Sequence, residues 1–341
     1  MRIAINGFGR VGRCVLRAAV QRADCHALQF VALNELASPD SILYLTQYDS
    51  THGRFPGSVV LDTQQLVVQS GDCEHRLQIS ATQRADQLEW KRQRIELVME
   101  CTGSITTQEA AQQHLNAGAQ RVLLSNPGES TIPAYVCGVN DSSLHAEQPI
   151  VSAASCTSNA LVPVLHVLQE HFGIANGVIT TVHASMHDQP VIDAYHSSDL
   201  RRNRAASQSI IPVDTALAAG IGRILPALDG KFVAHALRVP VNNVSALNVT
   251  VNLQQQVSES QVNEVLRSAA ATALAGILGV SDQPLASCDF NGDSHSGIID
   301  ELQTRVSAGN TVNLLVWFDN EWAFANRMLD LALRMVSPSA Q

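Results

Sequence analysis

A glycine-rich turn near the amino terminus constrains the possible folds of this chain more than any other feature. Gly7-Phe8-Gly9-Arg10-Val11-Gly12 follows an apolar run over residues 2–6 that predicts a strand, and it opens a predicted helix over residues 10–22. Glycines at this spacing permit a tight turn and bring backbone N–H groups against a pyrophosphate at the amino end of the helix. The pattern therefore predicts the first βαβ unit of a dinucleotide-binding domain.

An acidic residue supports this interpretation and selects the cofactor. Glu35 follows a second predicted strand over residues 29–34, at the position from which a carboxylate accepts hydrogen bonds from ribose hydroxyls. The same carboxylate would repel the 2′-phosphate of NADP, so the sequence favours NAD. The competing interpretation is a glycine-rich junction between a strand and a helix that binds no ligand.

The length of 341 residues predicts two domains. In the first, 1–155, short β-branched runs alternate with helical patterns, which is typical of an α/β, doubly wound (Rossmann) NAD-binding domain. Its further predicted elements are strands over 96–101, 121–125 and 150–153 and a helix over 107–117. The second domain, 156–320, is expected to be a mixed α+β catalytic domain. Its predicted elements are a helix over 158–171, an irregular stretch to about residue 206, and strands over 177–183, 245–253 and 313–318. A terminal helix, about 321–341, is expected to pack back on the first domain.

Composition and charge exclude several classes of protein. The chain is 45% hydrophobic and 16% charged and has no uncharged apolar run long enough to span a bilayer, so we expect a soluble protein without a membrane partner. A net charge of −9 argues against nucleic acid as a partner. Seven cysteines without a CxxC pair, and an amino terminus without a signal-peptide pattern, favour the cytoplasm and predict neither disulfides nor a metal site.

One cysteine lies where a thiolate would be stabilised. Cys156 stands between a predicted strand and a predicted helix, so the helix dipole and the backbone N–H groups of the first turn favour its anion. A neighbouring imidazole would add to this effect, and His183 ends the next predicted strand. Twelve histidines leave that choice open, and most cysteines and histidines in proteins are structural residues.

Collinear sequence blocks make the chain resemble the phosphorylating-type glyceraldehyde-3-phosphate dehydrogenases over nearly its whole length. The blocks are Asn6-Gly7-Phe8-Gly9-Arg10, Tyr48-Asp49-Ser50-Thr51-His52-Gly53, Glu100-Cys101-Thr102-Gly103, Ser155-Cys156-Thr157, Arg201-Arg202-Asn203-Arg204-Ala205-Ala206, Arg238-Val239-Pro240 and Asp319-Asn320-Glu321-Trp322. Two further stretches are more similar to the erythrose-4-phosphate dehydrogenase branch of this family. They are residues 183–196, His183-Ala184-Ser185-Met186-His187-Asp188-Gln189-Pro190-Val191-Ile192-Asp193-Ala194-Tyr195-His196, and residues 208–215.

The resemblance implies NAD-dependent oxidation of a small phosphorylated aldehyde, D-erythrose 4-phosphate, to 4-phosphoerythronate. Cys156 matches the nucleophile that forms a hemithioacetal and then a thioester, and His183 matches its base. The implied cofactor contacts are Gly7, Gly9, Arg10, Val11, Gly12, Glu35 and Asn320, of which Asn320 would hold the nicotinamide amide. The implied substrate and anion contacts are Ser155, Thr157, Asp188, Arg202, Thr215, Ala216 and Arg238. The resemblance also implies a homotetramer and links the reaction to pyridoxal 5′-phosphate biosynthesis.

Three departures from the family pattern bear on the fate of the thioester. Met186 stands where the glyceraldehyde enzyme commonly has a threonine that helps to hold the substrate phosphate, and Ala216 and Ala219 replace a glycine and a lysine. Because these changes remove donors that would hold inorganic phosphate, we expect water rather than phosphate to attack the thioester. The product would then be an acid rather than an acyl phosphate.

Three other functions compete with this prediction. A phosphorylating glyceraldehyde-3-phosphate dehydrogenase would prefer the three-carbon aldehyde, so comparative kinetics would distinguish it. A semialdehyde dehydrogenase would use a similar cysteine, but Arg238 and the block around Asp188 argue against it. An NAD-binding regulatory protein without catalysis is disfavoured by the presence of Cys156, His183 and Asn320.

Overall fold

The computed structural model describes residues 1–145, 148–195 and 198–336. Its chain divides into two compact units, Met1–Ser155 with Phe324–Gln341, and Cys156–Ala323. Residues 337–341 of the predicted terminal helix lie outside the described residues, and so does His196 from the stretch that resembles the erythrose-4-phosphate branch.

The first unit is built on an eight-stranded sheet whose parallel strands alternate with helices. Its elements are β1 (Arg2–Asn6), α1 (Arg10–Gln21), β2 (Gln29–Asn34), α2 (Pro39–Gln47), β3 (Tyr48–Asp49), β4 (Gly53–Arg54), β5 (Ser58–Asp62), β6 (Gln65–Ser70), β7 (Cys73–Ser80), α3 (Trp90–Gln93), β8 (Leu97–Glu100), α4 (Gln108–Asn116), β9 (Arg121–Leu124) and β10 (Ile150–Ser152). Most of the last helix of the chain, Trp322–Val336, also belongs to this unit.

The strand order of this sheet explains where a ligand can bind. Six strands run parallel in the order β10-β9-β8-β1-β2-β7, and β6 and β5 continue the sheet in antiparallel pairs. The central strand β1 has β2 on one side and β8 on the other, so the chain switches sides of the sheet there. Ligands of open α/β sheets bind at the carboxyl ends of strands at such a switch point. The predicted doubly wound α/β fold is confirmed.

Local sequence accounts for the central strand and its helix. The apolar side chains of β1 are fully buried, and the consecutive α1 residues from Cys14 to Val20 are buried as well. A helix that is buried on all sides lies inside its unit rather than on the surface. The helix ends at Gln21, one residue earlier than predicted, because Arg22 adopts an extended backbone.

The second unit contains another eight-stranded sheet, which is mixed. Its elements are α5 (Cys156–Phe172), β11 (Ile174–His183), β12 (Ile211–Val213), α6 (Leu217–Ile224), β13 (Phe232–Arg238), β14 (Ser245–Leu253), α7 (Glu259–Ala271), β15 (Leu278–Ser281), β16 (Gly297–Asp300), β17 (Arg305–Ser307) and β18 (Thr311–Phe318). The terminal helix, α8 (Trp322–Val336), follows β18. The strand order is β12-β13-β11-β14-β18-β16-β15, with β17 paired to β18.

The core of the second unit lies on one face of this sheet. Helices α5, α6 and α7 contribute buried side chains such as Leu165, Ile221 and Leu266, which pack against Val249 and Leu314 of the central strands. Strand β11 runs parallel to β13 and antiparallel to β14, so the sheet is mixed as predicted. In the described parts of the chain, no helix is both long and apolar enough to cross a membrane.

Two boundaries differ from the prediction and affect the site. Helix α5 begins at Cys156 rather than at residue 158, so Cys156 belongs to the first helical turn and not to the loop before it. Strand β11 begins at Ile174 rather than at residue 177, although it ends at His183 as predicted.

Candidate active site

Three glycines shape the turn between β1 and α1, and each has its own steric role. Gly7 has a φ of +86°, and a Cβ there would lie 2.6 Å from the backbone nitrogen of Thr102. A Cβ on Gly12 would lie 2.4 Å from the carbonyl oxygen of Gly7, so this glycine lets α1 pack closely on the turn. A Cβ on Gly9 would meet no described protein atom within 4 Å. The turn is therefore tight on the protein side and open where a pyrophosphate approaches the helix.

The carboxylate of Glu35 is fixed beside this turn. Its Oε2 accepts a hydrogen bond of 2.8 Å from the backbone N–H of Phe8. Its Oε1 accepts hydrogen bonds from the backbone N–H groups of Leu36, at 2.8 Å, and Ala37, at 3.2 Å. A fixed carboxylate at the end of β2 has the place and the chemistry of a ribose-hydroxyl acceptor.

Arg10 and Val11 are the first two residues of α1, and Arg10 is held by a partner that the sequence analysis did not identify. Its Nη1 lies 2.5 Å from Asp49 Oδ2. Burial alone would raise the pKa of Asp49, but hydrogen bonds from the backbone of His52 and Thr51 and the Arg10 guanidinium lower it to about 2. Asp49 is therefore ionised at neutral pH and keeps a guanidinium, still 30% exposed, at the amino end of α1.

A buried polar network lies under the same turn. Trp90 Nε1 donates to His114 Nδ1 at 3.0 Å, so His114 carries its proton on Nε2 and donates it to Glu100 Oε2 at 3.0 Å. Glu100 also accepts from Asn6 Nδ2 at 2.5 Å and from the backbone N–H of Thr102 at 2.8 Å. Asn6 precedes Gly7 in the chain, and the backbone of Thr102 lies against Gly7. The network therefore fixes the position of the turn. In the sequence, this network is indicated only by polar residues at the ends of predicted strands.

Cys156 has the environment of an activated thiol. It is the first residue of the 17-residue helix α5, at the positive end of the helix dipole. Its Sγ lies 3.7 Å from His183 Nε2 and 3.8 Å from Thr157 Oγ1. Burial raises the pKa of the thiol, but His183 and Thr157 outweigh burial, and the pKa of Cys156 is lowered. Burial raises the pKa of Cys25 and Cys137 to about 12, so those thiols stay protonated.

His183 presents its basic nitrogen to this thiol. Its Nδ1 lies 2.8 Å from the carbonyl oxygen of Ala184. Because a carbonyl only accepts, Nδ1 carries the proton and Nε2 faces Cys156 as the acceptor. Burial lowers the pKa of His183, but the contact with Cys156 raises this pKa by a larger amount. The pKa of His183 is therefore raised overall. These opposite shifts favour a thiolate beside an imidazolium, which is the reactive form of such a pair.

Asn320 is tied to the residue that orients His183. Its Oδ1 accepts a hydrogen bond of 2.8 Å from Ser245 Oγ, and the same hydroxyl accepts one of 3.0 Å from the backbone N–H of Ala184. Ser245 is 1% exposed, so these polar groups satisfy one another away from water. No role was predicted for Ser245, because its partners are 61 and 75 residues away in the sequence.

The structure brings three of the predicted anion-binding residues together. Arg238 ends β13 in register with His183 on the neighbouring strand, and Arg202 lies in a short 3₁₀ helix, Leu200–Asn203. Asp188 Oδ1 lies 2.5 Å from Arg238 Nη1, and Asp188 Oδ2 lies 3.1 Å from both Arg238 Nη2 and Arg202 Nη1. Asp188, for which a substrate contact was predicted, is thus ion-paired with both arginines.

The remaining predicted substrate residues are more scattered. Thr215 lines a cavity of about 710 Å³ with Arg201, Asp214 and His235, and its Oγ1 accepts a hydrogen bond of 3.2 Å from the backbone N–H of Leu217. Ala216 is the N-cap of α6, Thr157 is the second residue of α5, and Ser155 directly precedes α5. Of these, Thr157 contacts the Cys156 thiol directly.

Comparison with protein-family models gives two matches. Residues 1–108 match the glyceraldehyde 3-phosphate dehydrogenase NAD binding domain, and residues 155–320 match the glyceraldehyde 3-phosphate dehydrogenase C-terminal domain. The two matches cover most of the chain in the order that the resemblance predicts. The first of them includes the glycine turn and Glu35, so NAD as the predicted cofactor is confirmed.

Proposed function

The chain belongs to the glyceraldehyde 3-phosphate dehydrogenase family and is an NAD-dependent oxidoreductase, and we propose that its substrate is D-erythrose 4-phosphate. On this proposal the aldehyde is oxidised to 4-phosphoerythronate through a thioester on Cys156 that water hydrolyses. The observation that carries the chemistry is the distance of 3.7 Å between Cys156 Sγ and His183 Nε2, with the pKa values of the two groups shifted toward the ion pair.

The proposed reaction needs one nucleophile and one base. His183 Nε2 takes the proton of Cys156, and the thiolate attacks the aldehyde carbon to form a hemithioacetal. The proton on His183 passes to the hemithioacetal oxygen and returns to His183 as the hydride leaves that carbon, so a thioester remains on Cys156 and His183 releases the proton to solvent. His183 then accepts a proton from the attacking water, the C–S bond breaks, and the thiolate is restored as the acid departs.

NAD, when bound, accepts the hydride. The residues that would hold it are the glycine turn with the amino end of α1 for the pyrophosphate and Glu35 for the adenosine ribose. The missing Cβ at Gly9 leaves room for that pyrophosphate, and the guanidinium of Arg10 stands at the same helix end. By family resemblance, Asn320 would hold the nicotinamide amide, and its hydrogen bond from Ser245 would orient the side-chain amide for this task.

Two features support the four-carbon substrate and hydrolysis. Residues 183–195 and 208–215 are similar to the erythrose-4-phosphate branch, whose product the resemblance links to pyridoxal 5′-phosphate biosynthesis. Met186 is 41% exposed and has no hydroxyl to donate where the glyceraldehyde enzyme has a threonine. Fewer donors for inorganic phosphate favour water as the attacking species.

Steady-state kinetics on the purified protein test this proposal. We expect kcat/KM to be higher for D-erythrose 4-phosphate than for D-glyceraldehyde 3-phosphate, with NADH formed at the same rate whether or not inorganic phosphate is present. Phosphorus NMR should show a product with one phosphorus atom. The matched controls are Cys156→Ser and its exposed counterpart Cys288→Ser, of which only the first should lose turnover.

The opposite outcome would identify the competing enzyme. A preference for the three-carbon aldehyde, an absolute requirement for inorganic phosphate and a product with two phosphorus atoms would establish a phosphorylating dehydrogenase. NAD binding without turnover of either aldehyde would favour the regulatory protein instead.

A further inference from the structure

The hydroxyl of Ser245 connects two residues to which the proposed function gives different tasks. It accepts a hydrogen bond of 3.0 Å from the backbone N–H of Ala184 and donates one of 2.8 Å to Asn320 Oδ1. The carbonyl oxygen of Ala184 accepts a hydrogen bond of 2.8 Å from His183 Nδ1, so both backbone groups of Ala184 are paired. A chain of hydrogen bonds through Ala184 and Ser245 therefore links the proposed base with the proposed nicotinamide contact.

The sheet of the second unit places these residues side by side. Ser245 begins β14 and is the register partner of Phe318, which ends β18, and Asn320 follows two residues later. The ring of Phe318 packs edge-on against the imidazole of His183, with 6.2 Å between the ring centroids. His183 ends β11, which pairs with the other edge of β14. Ser245 thus lies on the strand between the one that carries His183 and the one that leads to Asn320.

The residue before Ser245 has a strained backbone. Val244 has a φ of +65°, in the left-handed region that β-branched residues rarely adopt. Its buried side chain packs with Phe290, Ile298 and Trp317, and this packing holds the unfavourable conformation in place. Backbone strain of this kind is found mainly at functional sites, where it contributes to the placement of a group. The strain at Val244 therefore indicates a function for the side chain that follows it.

The hydrogen bonds of Ser245 are made away from solvent. Ser245 is 1% exposed and Ala184 is fully buried. A buried polar group that loses its partner stays unpaired, because bulk water does not reach it. Removing the hydroxyl would take the acceptor from the Ala184 N–H and the donor from Asn320 Oδ1 in one step. The effect should therefore reach both His183 and Asn320.

We propose that Ser245 is a positioning residue that fixes the imidazole of His183 and the side-chain amide of Asn320 relative to each other. This inference rests on the proposed function for the task of Asn320. The imidazole must lie where it takes the proton of Cys156, and the amide must lie where it holds the nicotinamide. An error in either position slows the reaction, because the reacting groups are no longer aligned. Ser245 acts through these two residues.

Two assays on three variants test this inference without any aldehyde. The assays are the pH profile for alkylation of the Cys156 peptide by iodoacetamide and calorimetric titration with NAD. We expect His183→Asn to shift only the alkylation profile and Asn320→Ala to weaken only NAD binding. Ser245→Ala should change both. Its alkylation midpoint should rise by about 0.5–1 pH unit, and its NAD affinity should fall about tenfold, as expected when one hydrogen bond is lost in each place.

The matched control is Ser281→Ala. Ser281 is a buried serine at the end of β15, and its hydroxyl accepts a hydrogen bond of 3.3 Å from the backbone N–H of Gln283. Strand β15 lies three strands from β14 in the sheet, so this variant should match the wild type in both assays. Arg238, whose charge also acts on His183, is the same in every variant.

A second substitution tests the same hydroxyl with less risk to folding. Ser245→Cys keeps a side chain that donates and accepts weakly, so it should lie between the wild type and Ser245→Ala in both assays. Circular dichroism shows which variants are folded, and Ser245→Cys decides the question if Ser245→Ala does not fold.

The outcomes separate this inference from the proposed function. Neither assay requires turnover, so the two assays decide the role of Ser245 even if the wild type oxidises neither aldehyde and the proposed function fails. If the wild type is active and the folded Ser245 variants match it in either assay, Ser245 does not position both residues. The inference is then wrong, and the proposed function stands.

Discussion

At the scale of single residues, the ionisation of Cys156 is decided by a competition between burial and pairing. Burial raises the pKa of the thiol and lowers that of the His183 imidazole, because both charged forms lose their water. The net shifts run the other way for both groups, so their mutual attraction exceeds the cost of burial. The ion pair forms as the pH rises through the pKa of Cys156, and it is lost as the pH rises further through that of His183.

Replacing His183 by asparagine should show how burial affects the pKa of Cys156 without the imidazole. We expect the pKa of Cys156 to rise, because the hydrogen bond and the charge of His183 that lower it are removed while the burial that raises it remains. The pH profile for alkylation of Cys156 by iodoacetamide should shift to higher pH, and turnover should fall by about 10²–10⁴-fold, since the proposed base is lost. Alkylation is followed on the Cys156 peptide by mass spectrometry, because the exposed Cys288 can also react.

The control for this prediction lies on the same helix as the thiol. His166 pairs with Glu170 on the surface of α5, and His166→Asn should leave both the alkylation profile and turnover unchanged. An alkylation profile in His183→Asn that matched the wild type would show that the helix dipole and Thr157 activate the thiol without the imidazole.

At the scale of elements, the turn from β1 to α1 contains two glycines with different roles: Gly7 has a structural role and Gly9 a functional one. Gly7 adopts a positive φ and has no room for a Cβ, because Thr102 lies against it and is itself held by the buried Glu100. Gly9 has a φ of −71°, which any residue adopts, and open space beside it. Adding a methyl group should therefore lower the stability of the protein at Gly7 and weaken NAD binding at Gly9.

We expect Gly7→Ala to lower the free energy of unfolding by about 1–3 kcal/mol, because it combines a strained φ with a steric clash. Gly9→Ala should change that free energy by less than about 1 kcal/mol but should weaken NAD binding, because its methyl group enters the space of the pyrophosphate. Denaturant unfolding and calorimetric titration with NAD measure the two effects. Wild-type NAD affinity in Gly9→Ala would place the pyrophosphate elsewhere.

Sequence patterns predict some elements better than others for identifiable reasons. Strands β1, β2 and β14 have the bounds expected from their apolar runs. The three antiparallel strands β5, β6 and β7 are not predicted from the sequence, partly because His75 occupies an apolar position of β7. There it is 6% exposed and packs edge-on against Phe30 at 5.4 Å. A buried histidine breaks the alternation on which strand prediction depends.

The same limit applies to the candidate site. Its position between a predicted strand and a predicted helix is enough to propose Cys156, whereas His183 is selected among twelve histidines only by the family resemblance. Asp49, Ser245 and the ion pairs of Asp188 require contacts between residues far apart in the chain, which only the folded structure supplies. Asp49 lies in a block shared with the family, yet nothing in its local sequence indicates that it holds Arg10.

At the scale of the whole molecule, the second unit exposes apolar side chains on its sheet and in the loop after β11, among other positions. Val178 and Val233 are register partners on β11 and β13, and they are 49% and 56% exposed on the sheet face opposite the helices. In the loop after β11, Val191 and Ile192 are each 75% exposed and Tyr195 is fully exposed. Clusters of exposed apolar side chains are typical of protein interfaces, and the family resemblance implies that the partner is another copy of this chain.

We therefore expect a homotetramer at micromolar concentration, with the loop around Val191 and Ile192 buried between copies. The double variant Val191→Ser with Ile192→Ser should shift the molecule toward smaller species, because two apolar side chains would no longer be removed from water at each contact. Sedimentation equilibrium measures the mass of the assembly. The control is Val60→Ser on β5, where a valine 50% exposed lies outside both apolar regions and should leave the mass unchanged. A monomeric wild type would contradict the assembly, whereas an unchanged tetramer in the double variant would place the interface on the sheet face of Val178 and Val233 instead.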